Sequence, residues 1–91
     1  MTDTSIVTRT LHSDPGHGWL EVSRIEVHTL RLLDAISGYS YQSNDGATLY
    51  LEEDCDMSRY FDAMEAEGYT LKLNHLHHDD DRIRGLQSYR A

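Results

Sequence analysis

Tyr69 to His77 alternates as a strand does, which puts His75 and His77 on one side, with His78 and Asp79, Asp80 and Asp81 close behind. His12 and His17 could join them from the N-terminal part of the chain. Two imidazoles at i and i+2 with a third donor nearby could hold Zn²⁺ or Ni²⁺. A CxxC or HExxH spacing is missing, and adjacent His and Asp suit an exposed strand end equally well. The expectation is therefore no metal and no cofactor, with a small metal protein or enzyme using His75, His77 and one of His12, His17 or Asp79 as the alternative.

The densest chemical feature is acidic. Residues 52–67 carry Glu52, Glu53, Asp54, Asp56, Asp62, Glu65 and Glu67 against Arg59 alone, a net −6 out of −8 for the whole chain. Acids at a helix start favour the macrodipole, but Glu65 and Glu67 fall near the helix end, where it opposes them. Helix stability therefore does not account for the whole run. Glu52-Glu53-Asp54-x-Asp56 lacks the alternating acids, glycine and twelfth-position Glu of a calcium loop. With so many carboxylates, no pair stands out for glycoside chemistry. Cys55 sits in no nucleophile signature and is expected to be a structural thiol, buried or half-buried. Residues 14–19 lack a phosphate-binding glycine pattern and are expected to be a tight turn that delivers Trp19 to the core. Tyr39, Tyr41 and Tyr50 lie in negative surroundings without an RNA-binding consensus, so they are expected to pack across strands.

The elements that must position these groups follow from periodicity. Ile6-Val7-Thr8 suggests a strand and residues 13–18 a loop; residues 18–22 form a second strand. Ser23-Arg24-Ile25-Glu26 matches a capping box, with Val22 and Val27 placed as a hydrophobic staple. The stripe Ile25, Thr29, Leu32, Leu33, Ile36 then predicts a helix over 23–36, stopped by Gly38. Residues 39–42 and 47–52 flank an Asp-Gly turn and predict a β-hairpin. A second helix starts at Asp54 or Asp56, places Met57, Tyr60, Phe61 and Met64 on one stripe, and ends at Gly68. Residues 82–90 form a closing strand or an irregular tail.

This order, βαββαβ from residue 18, is that of a ferredoxin-like α+β fold: a twisted antiparallel sheet with both helices on one face and possible extra terminal strands. Its expected core is Trp19, Ile25, Leu32, Leu33, Ile36, Leu49, Leu51, Phe61, Met64, Leu71 and Leu73. Ninety-one residues allow one domain, with residues 1–11 a flanking strand or flexible arm. The charge of −8 opposes direct binding to nucleic acid or an anionic membrane and favours basic partners. One cysteine cannot form an internal disulfide, and apolar runs such as Leu32-Leu33 fall far short of the ~20 residues that span a bilayer. A cytoplasmic location is expected.

Residues 13–22 (SDPGHGWLEV) and 50–56 (YLEEDCD), with Ser40-Tyr41 and Arg82-Ile83-Arg84, resemble a group of small uncharacterised proteins carried by bacteria and their phages. The resemblance implies a bacterial or mobile-element setting and no activity, so it assigns no catalytic residue. By analogy of charge and size, small acidic proteins from such settings block host defence nucleoproteins, as anti-CRISPR and anti-restriction inhibitors do, by offering carboxylates to a basic nucleic-acid groove. The expectation is a non-enzymatic binding protein that docks Glu52, Glu53, Asp54, Asp56, Asp62, Glu65 and Glu67 on a basic protein or nucleoprotein complex. A housekeeping homodimer joined through a free sheet edge is a further expectation.

Overall fold

The computed structural model describes residues 5–80 and 82–91. Its strands are β1 (Ser5–Ser13), β2 (Gly18–Ser23), β3 (Tyr41–Gln42), β4 (Thr48–Glu52), β5 (Tyr69–His77) and β6 (Gln87–Ser88); its helices are α1 (Arg24–Thr29) and α2 (Met57–Ala66). The fold is α+β, with one six-stranded mixed sheet in the order β5-β1-β2-β4-β3-β6.

The sheet departs from the expected antiparallel, ferredoxin-like arrangement at β1. A tight turn at residues 14–17 folds β1 back on β2, pairing Leu11 with Leu20 and His12 with Trp19. β1 thereby lies between β2 and β5, which a ferredoxin-like sheet would make neighbours, and β5 joins β1 in parallel from Ser5↔Tyr69 to Ser13↔His77. Residues 5–11 are thus an inner strand and not a flank; residues 1–4 lie outside the described residues. Arg9 hides how far the strand suggested by Ile6-Val7-Thr8 continues. It occupies an inward-facing position between Val7 and Leu11, where it is tolerated because its guanidinium pairs with Glu26 of α1.

Local signals placed the remaining elements. The hairpin β3–β4 forms as expected, with Gly46 at φ 74° and the Asp45 carboxylate accepting from Ser43 Oγ and the Ala47 amide. Those two hydrogen bonds hold the Asp45 carboxyl below its usual range. α2 ends where Gly68 takes φ 89°. Residues 82–90 are mostly irregular, apart from two-residue β6 on the outer side of β3.

The helix predicted over 23–36 is shorter. Ser23 Oγ accepts from the Glu26 amide at 3.1 Å, half of the capping box, whereas the Glu26 carboxylate turns to Arg9. After Leu30 the chain closes in a Schellman motif: the Leu32 amide donates to Val27 O and the Arg31 amide to His28 O, with Arg31 at φ 61° where glycine is usual. The buried face is Val27, and Ile25 is 79% exposed. Leu11, Leu20, Val22, Leu49 and Leu51 on the sheet, Val27 of α1, and Tyr60 and Met64 of α2 form one core, with Ile36 and Tyr89 completing it. Leu32, Leu33, Phe61, Leu71 and Leu73 are half-buried against it. No helix among the described residues is long and apolar enough to cross a membrane.

Candidate functional site

The acidic run divides into two populations. Glu52 and Asp56, expected on the surface, are buried, 7% and 1% exposed. Glu52 Oε2 accepts from the amides of Asp54 and Cys55 at 2.9 and 2.8 Å, closing the turn that leads into α2. Asp56 does not cap α2 with its side chain. Its carboxylate reaches back to the loop after α1, where it accepts from the Ser37 amide, from Ser37 Oγ at 2.7 Å and from Ser40 Oγ. These two carboxylates fasten the chain to itself, so their place among partner-binding residues is corrected.

Glu53, Asp54, Asp62, Glu65 and Glu67 are exposed. Tyr60 and Met64 face the core, so the helical period turns Asp62 and Glu65 outward on one stripe. The ion pairs among the described residues are Arg9–Glu26, His12–Glu21, His77–Asp79, Arg82–Asp80 and Arg84–Asp14. None of the five exposed acids of the run takes part.

The other sheet face, free of helices, carries a polar ladder that the sequence did not reveal. His12 Nε2 lies 2.7 Å from Glu21 Oε1 and His12 Nδ1 lies 2.8 Å from His78 Nε2. One ring nitrogen of His12 thus serves each neighbour, Nε2 facing the carboxylate that accepts from it and Nδ1 facing the second imidazole. His78 is only 7% exposed, and its pKa is held below 6.5, first by desolvation and then by Arg82 and His12. The available signal was the turn at 14–17: in a hairpin, residues 12 and 21 fall on the same face.

Beside the ladder, Trp19 is buried as expected, 2% exposed, but on this face of the sheet and outside the main core cluster. Tyr41 meets it edge-on, His17 stacks on it, and the Arg84 guanidinium lies 5.6 Å from its ring centre. Arg84 is held by Asp14, whose carboxyl burial would raise; the Gly16 amide, Arg84 and the His17 amide outweigh this and keep it low. A pocket of about 230 Å³ opens there between Trp19, Tyr41, Glu52, Cys55 and Arg84. Cys55 is exposed, contrary to the expected burial, and its hydrogen bond to Glu52 raises its pKa and disfavours the thiolate. Tyr39 is 72% exposed, and the expected tyrosine packing becomes Tyr41 on Trp19 and Tyr50 on His12.

His12 meets His78, and His77 Nε2 lies 3.2 Å from Asp79, but the histidines named for a metal do not gather at one point. His75 and His77 are exposed on the side of β5 opposite His12, and His17 is engaged with Trp19 and Arg84. Among the described residues no three His, Cys, Asp or Glu side chains are placed to hold a metal ion. Asp81 lies outside the described residues. Comparison with family models, curated proteins and solved structures finds no match for this chain.

Proposed function

We propose that this protein is a non-enzymatic binding module that docks the outer face of α2, with Glu53 and Asp54 before it, on a basic surface of a protein partner. The observation that carries this is the concentration of five exposed carboxylates in residues 53–67, none of them in an ion pair among the described residues, against Arg59 as the one cation of the run. A single exposed ion pair contributes only about 0–1 kcal/mol, so the face acts as a set. Its field speeds encounter and makes association salt-dependent. Proteins that bind nucleic acid present the matching cationic grooves and form the favoured partner class, to which host defence nucleoproteins belong.

The test is to capture binders from a bacterial lysate at low salt, identify the principal one, and measure its affinity for the wild-type chain and for the triple variant Asp62→Asn, Glu65→Gln, Glu67→Gln. Loss of about tenfold or more in affinity, with the far-UV spectrum unchanged, is expected from three weakened pairs. Equal affinity for both chains, or affinity indifferent to salt, overturns the proposal.

A further inference from the structure

We infer that the partner adds a strand to the open edge of β5, and that the strand is an extended basic segment. This rests on the docking role of α2, whose neighbour in the fold is β5. Among the described residues β5 ends the sheet, pairing with β1 along all nine residues of Tyr69–His77. In a parallel pair, alternate residues turn their N–H and C=O groups away from the partner strand, so β5 offers a regular row of unmet donors and acceptors. Long edges of this kind are usually blunted by several charged side chains, lysine above all, by proline, a bulge or inward-pointing charge. β5 has no proline or glycine, and Lys72 is its one Lys or Arg. Seven of its nine residues are exposed, including Tyr69 at 39% and Leu76 at 47% near the two ends.

The surroundings specify the strand's chemistry. A cleft of about 220 Å³ opens between α2 and β5, with Phe61 and Leu71 as apolar walls and Glu65 on its rim. It suits an apolar side chain from an added strand whose neighbouring residues are cationic. Glu67 lies just before β5 and Asp79 just after it, so carboxylates stand at both ends of the edge. The same acids disfavour a second copy of this chain, since β5-to-β5 pairing would bring two α2 helices and their carboxylates together.

The experiment uses the full ¹⁵N-labelled chain and two acetylated heptapeptides of alternating Lys and Val, equal in charge, one of them N-methylated at alternate residues so that it cannot complete a ladder. The inference expects the unmethylated peptide to bind, to slow amide exchange within Tyr69–His77, and to outbind the methylated one by about tenfold. Lys72→Glu, at an exposed site, should tighten binding of the unmethylated peptide several-fold. Equal binding of both peptides overturns strand addition while leaving charge-driven docking intact. Binding of neither also overturns it, and the docking role is then judged separately by the α2 triple variant. A concentration-dependent dimer with β5 amides protected would assign the edge to a second copy and overturn it as well.

Discussion

The helix-free face of the sheet and the outer face of α2 both carry dense charge, but they spend it differently. On the sheet face Glu21 meets His12, His12 meets His78, and Asp14 meets Arg84, which covers Trp19. On α2, Asp62 and Glu65 share a stripe and neither is in an ion pair among the described residues, although Arg59 lies one turn before Asp62. Charges that hold a fold together are met by partners within it, because an unpaired buried charge is costly; charges left open in water cost little and are available to something else. Glu52 and Asp56 follow the first pattern although they belong to the same run of sequence as the second.

That contrast can be broken most sharply inside the acidic run. Asp56→Ala leaves Ser37 and Ser40 without their acceptor beneath the loop after α1, and should cost about 2–4 kcal/mol in urea unfolding. A change below about 0.5 kcal/mol would place Asp56 with the surface acids. His12→Ala should cost about 1–3 kcal/mol, because it removes the link between Glu21 and His78.

The ladder also carries a pH signature. The folded state keeps His78 below 6.5, so below that value the unfolded chain takes up a proton that the folded chain resists. The stability this gives is complete above 6.5 and is lost as pH falls from there through the folded pKa. Urea midpoints should therefore fall between about pH 7.5 and about pH 5.5, and His78→Gln should flatten that fall. An unchanged slope in the variant would remove His78 as its source.

Arg84→Ala should destabilise by about 1 kcal/mol and uncover Trp19, the only tryptophan, so that its emission moves to the red. The α2 triple variant should shift stability by no more than about 0.5 kcal/mol. One small effect has the opposite sign: Arg31→Gly relieves a left-handed residue and should stabilise by about 0.5–1 kcal/mol.

What was legible in the sequence was local. The Asp-Gly hairpin, the α2 stripe with its glycine stop, and the alternation of Tyr69–His77 are written within a few residues each, and all three formed. The length of α1 was not legible, because Gly38 offers the usual stop and nothing marks Arg31 as the residue that takes the left-handed turn. Nor was the insertion of β1 between β2 and β5, since pairing partners far apart in sequence leave no trace in either strand's alternation. The acidic run was legible as charge but not as orientation. Ser37 and Ser40, which turn Asp56 inward, lie nineteen and sixteen residues before it. The His12–Glu21–His78 ladder needed the same long-range knowledge, as His78 reaches His12 across sixty-six residues.

The most direct measurement is an amide shift map of the ¹⁵N-labelled chain titrated with its captured basic partner. Shifts confined to Glu53, Asp54, the exposed stripe of α2 and β5, fading as salt is raised, are predicted. Shifts centred on Trp19, His12 and Arg84 with α2 unmoved would contradict the account.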